Sequence, residues 1–528
     1  MAKQGYKPEV LESFSGGLNF RTDQFNLQPN ESPDLLNVDV DPRGGVKLRN
    51  GVTAVNTSAL GADVEGIASF FTDSGTSQII ANHGTAVVYG TGSNFSTMSG
   101  QTARTDGTRL YGMTMNNVFY GVSGDVVSFK WSGSGSGSDR GTDIDGTDGN
   151  FPIAQYVTFW NNFAWVGKTR EPTTYHNSRV RWSNANQPEK WTATDYVDVD
   201  IGERGDVVTG LVPLADRLLI FKNNSVHAIY GFDSESFQLT ALSRDVGSIA
   251  LSSPVSTPYG VFFWHDRAGV YLYNGEQFVN VFEKLRPAID NGRISFTTPP
   301  QLAWFENRLY VSLDMLQYYK SGTQATKRHI FTYDPSIQSW SLTNIDATTL
   351  HVHTPPGGEP LLLGACEENT GRVIKFEQSN PTDAYDGSTA AHVDSHFTTP
   401  WMSGKNPVTK KRWGRPQVVM DAAATLTMAV EVYTDFDKAS SRKTVDINIE
   451  GRESSSVWDT ATWGADAGTG DSNLGYWGAE SASKITDVVR VQSLGNAKSV
   501  ALKINGPSES SSWEINGIMF TYKPRRLR

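Results

Sequence analysis

A recurring hairpin constrains this chain more than any other feature. Between about Gly61 and Phe397 a short apolar strand repeatedly precedes a turn rich in Gly, Asn or Asp, and a second strand with alternating aromatics follows. The copies read SQIIANHGTAVVYG (77–90), MNNVFYGVSGDVVSFKW (115–131), FWNNFAWVGKT (159–169) and ADRLLIFKNNSVHAIYG (215–231). Three more follow: YGVFFWHDRAGVYLYNG (259–275), ENRLYVSLD with HIFTYDPSIQSW (306–340), and EPLLLGACEENTGRVIKF (359–376). Taking Asn82, Asn117, Asn162, Asp216, Gly260, Asn307 and Pro360 as landmarks, the steps run from 35 to 54 residues. Each copy carries the local signals of a β-hairpin. A period near that of a four-stranded blade predicts a β-propeller, because such sheets bury both faces only by packing on one another around an axis.

The expected architecture is therefore all-β. It comprises an N-terminal extended arm and lead-in segment (1–60), a divergent propeller of about six or seven blades (61–397) and a C-terminal β-sandwich (398–528). The match to named repeats is thin: HIFTYDPSIQSW is kelch-like, but paired glycines are missing elsewhere, and the Trp-Asp dipeptide at Trp458 lies outside the repeats. Two β-sandwiches built from the same hairpins are the competing arrangement. After Phe397 longer period-two strands follow, among them LTMAVEVYTD and WEINGIMFTYK, as a sandwich or jelly roll requires. Only 19% of residues are charged while Trp, Tyr and Phe are plentiful, which also favours strands over amphipathic helices.

Charge and cysteine usage bound the function. A net charge of −10 leaves no broad basic footprint for tight nucleic-acid binding, although an acidic lumen lets DNA slide past without sticking. The single cysteine, Cys366, excludes intrachain disulfides and Cys-based zinc sites. The start, MAKQGYKPEV, has no apolar core of a signal peptide, and no run reaches the length of a membrane span, so the expectation is a soluble chain assembled in a reducing cytoplasm, with no membrane partner.

Catalytic signatures are absent: there is no GxSxG, HExxH, P-loop or GxGxxG opening a helix, and no sialidase-type turn with correct spacing, so no enzyme activity is expected. A glycosidase needs only two placed carboxylates; Asp198 and Asp200 share a strand face, though a solvated edge explains them as well. DIDGTDG (143–149) resembles a calcium loop, but its third acid falls one place late and no late Glu follows. His351 and His353 share a strand face as an axial metal ring would require, and His392 and His396 lack a partner motif; all four read as strand-surface histidines. No cofactor or metal is expected. Trp458, Trp463 and Trp477 are candidates for a glycan-binding face, with core or interface packing as the plainer role.

Two basic clusters are candidate interfaces with an acidic neighbour: Lys410, Lys411, Arg412 and Arg415, and Lys523, Arg525, Arg526 and Arg528. The low-complexity stretch SGSGSGSDRGTDIDGTDGN (132–150), carrying Asp139, Asp143, Asp145 and Asp148, reads as a loosely held loop and a candidate channel gate.

SGGLNFRTDQFNLQPNESPDLLNVDVDPRGGVKLRNG (15–51) resembles the N-terminal segment of tail proteins from tailed bacteriophages. The matching positions are Gly17-Leu18-Asn19, Pro29, Glu31-Ser32-Pro33-Asp34, Asn37-Val38-Asp39, Gly44-Gly45, Arg49 and Gly51. RVRWSNANQPEKW (179–191), the Leu-x-Ile-Phe-Lys strand that follows, WHDRAGVYLYNG and WEINGIMFTYKPRRLR are similar to tail nozzle (hub) proteins of short-tailed phages. The resemblance implies a structural ring, usually of six copies, below the adaptor (head-to-tail connector) and near tail fibres or spikes. Such a ring continues the DNA channel with non-specific proximity to the genome, retains the genome and takes part in its ejection from the virion tail. Pro29, Pro33, Asp34 and Arg49 join the basic residues as interface candidates. A receptor- or glycan-binding tail component is the alternative role.

Overall fold

The computed structural model describes residues 5–23, 25–200, 206–249, 254–266, 268–296, 298–318, 324–366, 370–377, 379–422, 425–449, 485–508 and 511–524. Among them, seven antiparallel sheets of four or five strands follow one another along the chain, and each contains one of the seven hairpin copies. Their first long strands are Val64–Phe71, Tyr111–Met115, Ile153–Trp160, Val208–Pro213, Val255–Thr257, Gln301–Phe305 and Thr349–His353. Each of these lies against the next, and the last returns to the first, which closes a circle. The fold is a β-propeller of seven blades, numbered one to seven here from Val64.

Local chemistry explains the hairpins. Asn116 and Asn117 have φ of 53° and 62°, and Asn161 and Asn162 have 49° and 64°. Two consecutive left-handed residues make the turn whose twist matches paired strands, and asparagine tolerates that conformation well. Between blades the apolar faces interlock. Phe70 and Ile80 of blade one meet Phe119, Phe129 and Trp131 of blade two, and Leu219 and Phe221 of blade four meet Val261 and Phe263 of blade five. Burying one such side chain contributes roughly 1.5–3 kcal/mol, so a blade with both faces covered is stable where an isolated one is not.

Blade seven is assembled from both ends of the propeller sequence. Its strands Thr349–His353, Leu361–Cys366 and Arg372–Phe376 are completed by Val52–Ala54, which pairs antiparallel with the last of them: Val52 opposite Phe376 and Ala54 opposite Ile374. Val52 is fully buried among Ile374, Phe376, Leu362 and Cys366. This strand is the clasp of the ring.

The C-terminal region is a sandwich of two sheets, and the N-terminal arm, extended as expected, is laid into both. In one sheet Lys7–Leu11 pairs with Trp513–Pro524, as does Val46–Leu48; in the other Leu35–Leu36 pairs with His396–Thr398. A single apolar core runs from arm residues Leu11, Phe14 and Leu18, through Trp264 and Trp340 of blades five and six, to Trp413 and Trp513 of the sandwich. Gly17 marks a close approach of arm to propeller: it has φ of +62°, and a Cβ there would lie 2.6 Å from the Trp340 carbonyl oxygen. Only glycine fits, which gives a physical reason for the Gly-Leu-Asn start.

Candidate functional site

The innermost strands begin at one end of the propeller, where with adjoining turns they line a half-open cavity of about 560 Å³. Glu65 of blade one, Arg109 and Tyr111 of blade two, Gln155 and Tyr175 of blade three and Gln301 of blade six line it. The Arg109 guanidinium donates to Gln301 Oε1 and lies 5.3 Å from the centre of the Tyr111 ring. Its Nε and the Tyr111 hydroxyl are buried without a hydrogen-bond partner, as is the hydroxyl of Tyr156, whose ring centre is 5.3 Å from that of Tyr111. Burial holds both phenols above their usual range. Burial, reinforced by Asp63 and Asp106, also pushes the Glu65 carboxyl up, against the pull of Arg109. At the rim Tyr175 is 63% exposed, with the Arg170 guanidinium 5.8 Å from its ring centre.

Below this cavity, the seam between blades seven and one holds a polar cluster. Ser69 Oγ lies 2.7 Å from His351 Nε2 and 2.8 Å from His353 Nδ1. One hydroxyl can donate to one imidazole and accept from the other, so both rings are held neutral and committed to the seam. Burial, with His353 and Arg109 nearby, lowers His351 to about 3, and burial lowers His353 to about 4. Unfolding restores an ordinary imidazole near 6.5, so the unfolded chain binds more protons between these values. The stability these rings preserve is complete above about pH 6.5 and is lost progressively as the pH falls towards 3, each unit by which a ring is lowered being worth about 1.4 kcal/mol. Urea unfolding at pH 7.5 and pH 4.5 is expected to show this loss. A His351→Gln/His353→Gln variant is expected to lose much less stability over the same interval.

The structure sorts the candidate interface residues into two groups. Arg49 is buried, with Nη2 at 2.7 Å from Asp383 Oδ2 and Nε at 2.9 Å from Asn37 Oδ1, so it works inside the chain. Asp34 accepts from His396 at 3.0 Å and lies 3.4 Å from Lys503 Nζ, fastening the arm to the sandwich edge. Pro29 is exposed and Pro33 half-buried. Strand alternation divides the first basic cluster: Lys411 points inward, where carbonyl oxygens of Asn406, Thr409 and Lys498 receive its ammonium, while Lys410, Arg412 and Arg415 are exposed. Arg412 stands directly opposite Lys523 on the neighbouring strand. Like charges so placed repel, which makes this edge attractive to an acidic surface. Arg525, Arg526 and Arg528 lie outside the described residues, as do Trp458, Trp463 and Trp477.

The stretch 132–150, read from composition as loose, is fastened. Gly146 N donates to the Trp191 carbonyl at 2.8 Å, Asn150 N to that of Glu189 at 3.0 Å, and Arg140 pairs with Glu189 at 2.6 Å. Asp139 accepts from Thr102 Oγ1 and Asp145 from Thr147 Oγ1, while Asp143 and Asp148 are exposed. The segment straps blade two to blade three, and none of it lines the axial cavity. Backbone hydrogen bonds, invisible in a Gly/Ser/Asp composition, supply the order that the sequence does not announce.

The other chemical candidates are individually committed. Asp198 pairs with Arg179 at 2.7 Å, and Asp200 lies 3.5 Å from Arg244 and 3.6 Å from His227. His392 pairs with Asp394 at 2.9 Å. Among the described residues no group of three or more His, Cys, Asp or Glu is placed to hold a metal ion. The axial residues escape sequence reasoning because they come from five blades and share no motif; unmatched polar residues at the starts of inner strands are the only trace they leave.

No protein-family model and no curated protein matches the chain. Among solved structures, the extracellular domain of a putative one-component system from B. thetaiotaomicron aligns at 10% identity and a TM-score of 0.38, covering 63% of this chain and 40% of that one. BBS1N in complex with ARL6DN aligns at 8% identity and TM-score 0.39, over 63% of this chain and 99% of its own. The Neurospora crassa Pan2 WD40 domain aligns at 8% and 0.34, over 63% and 97%. The chain thus spans well under half the length of the first of these, and likenesses this distant carry no functional assignment. The fold itself rests on the sheet order: an all-β chain with a seven-bladed propeller joined to a sandwich.

Proposed function

We propose that this chain is a structural subunit of a bacteriophage tail: a nozzle or hub protein that forms a ring below the adaptor, continues the DNA channel and helps to retain and release the genome. The observation that carries the reading is the segment 15–51, whose resemblance to phage tail proteins falls on residues that join arm, propeller and sandwich, among them Gly17, Asn37 and Arg49. Two further features support it. The exposed Lys410, Arg412 and Arg415 offer a basic edge, whereas the propeller sequence is strongly acidic, so one copy complements the next in a head-to-tail ring. The cavity at one end of the propeller, about 560 Å³, is far too small for a duplex, so in this reading duplex DNA passes between copies and meets a predominantly acidic wall.

Electron microscopy of the purified protein, together with immunogold labelling of virions, tests the proposal. Rings of the protein and label at the tail axis are the expected results. A protein that stays monomeric at every concentration and labels no virion overturns the reading.

A further inference from the structure

The axial cavity has a chemistry that the ring proposal does not use, and that chemistry is the same whether or not the chain forms a ring. Its volume of about 560 Å³ is that of an ordinary small-molecule site, and polar groups from separate blades converge on it. Two of them are opposite charges. Arg109 has a neutral amide, that of Gln301, as its side-chain acceptor, and its Nε is buried and unpartnered. Glu65 lines the same cavity, and among the described residues no ion pair joins it to Arg109 or to any other cation. Opposite charges in one concave site ordinarily pair, so an arginine and a glutamate that line the same cavity without pairing leave room for a ligand that answers both.

The pattern of charges narrows the choice. Asp63 and Asp106 beside Glu65, and Asp125 on the cavity wall, oppose entry of a simple anion. Arg109 at the same site opposes a simple cation. A neutral sugar would leave both charges without a counterion. A ligand carrying both signs satisfies both walls: a carboxylate meets the Arg109 guanidinium, and an ammonium meets Glu65. The open ring of Tyr175 at the rim adds a flat platform for an apolar or aromatic group. We infer that the axial cavity binds a small zwitterion of amino-acid type, its carboxylate on Arg109, its ammonium on Glu65 and its side chain against Tyr175.

Calorimetric titration of the full chain with four probes tests this: L-phenylalanine, phenylacetate, phenethylammonium and glucose. L-phenylalanine alone is expected to bind measurably, at least tenfold more tightly than either singly charged probe. Glu65→Gln and Arg109→Gln are each expected to weaken it at least tenfold. Tyr175→Ala, at a ring that is mostly exposed, is expected to weaken it severalfold while leaving the unliganded melting temperature nearly unchanged; this variant remains informative if Arg109→Gln does not fold. Phenylacetate or phenethylammonium binding as tightly as L-phenylalanine, glucose binding in its place, or no binding by any probe overturns the inference.

Discussion

Replacing Val52 by aspartate is expected to open the propeller ring. Val52 has no accessible surface, and its strand is the single connection that completes blade seven from the N-terminal side. Aspartate there removes roughly 1.5–3 kcal/mol of apolar burial and introduces an unpaired carboxylate among Ile374, Phe376 and Leu362, which costs about as much again. The combined effect, on the order of 5 kcal/mol, is comparable to the whole stability of many domains. Urea unfolding followed by tryptophan fluorescence should show an early transition for the variant, while Val52→Ile remains close to the parent. A Val52→Asp protein that unfolds at the parental urea midpoint would show that the clasp does not hold the ring.

Arg49→Ala is expected to have nearly as large an effect, by a different route. The guanidinium binds both Asp383 oxygens, at 2.9 and 2.7 Å, and donates to Asn37 Oδ1 and to the Asn50 carbonyl oxygen, each at 2.9 Å. Asp383 also accepts from Val52 N at 3.1 Å, so the ion pair anchors the first residue of the clasp. Truncating the arginine strands a carboxylate that is 12% exposed, and breaking a buried pair in this way typically costs about 3–5 kcal/mol. Arg49→Lys keeps the charge but not the planar fork, and an intermediate loss is expected. Adding Asp383→Asn to Arg49→Ala should recover part of the stability, because the stranded charge is then gone. If Arg49→Ala alone changes the unfolding free energy by less than about 0.5 kcal/mol, the hub assigned to this side chain is wrong.

The two variants show which parts of the molecule are legible in its sequence. The hairpin repeat is legible because alternating apolar residues and turn asparagines are local signals, and seven copies correspond to seven blades. Even its irregular steps have a cause. Six of the landmarks fall at the turn between the first and second strands of a blade, whereas Asn82 sits one hairpin later, so the first step is short. The long step from Asn162 to Asp216 spans the extended strands of blade three and the loop that receives the strap 140–150. Lys411 is also legible in retrospect, since it shares its strand face with the buried Trp413.

The clasp is not legible in this way. Val52–Ala54 is three residues long, carries no repeat of its own and acquires meaning only beside Arg372–Phe376. The axial cavity is hidden for the same reason: Glu65, Arg109, Gln155 and Gln301 are ordinary polar residues until the ring brings them to one axis. Arg49 and Gly51 stood out only through a resemblance. Their physical role, an ion pair with Asp383 and a glycine whose Cβ would lie 1.8 Å from the Thr382 carbonyl oxygen, depends on partners more than three hundred positions away.

That separation sets the timetable of synthesis. The clasp leaves the ribosome more than three hundred residues before its partner strand, and Lys7 more than five hundred before Tyr522. At roughly 5–20 residues per second, the first strand remains unpaired for about 16 to 65 s while six blades accumulate beside it. During that interval blade one exposes the face that will receive His351 and His353, and an unpaired edge invites the corresponding strand of another nascent chain. A ribosome stalled within the propeller would thus hold an open, adhesive intermediate, which the arrival of Arg372–Phe376 shuts.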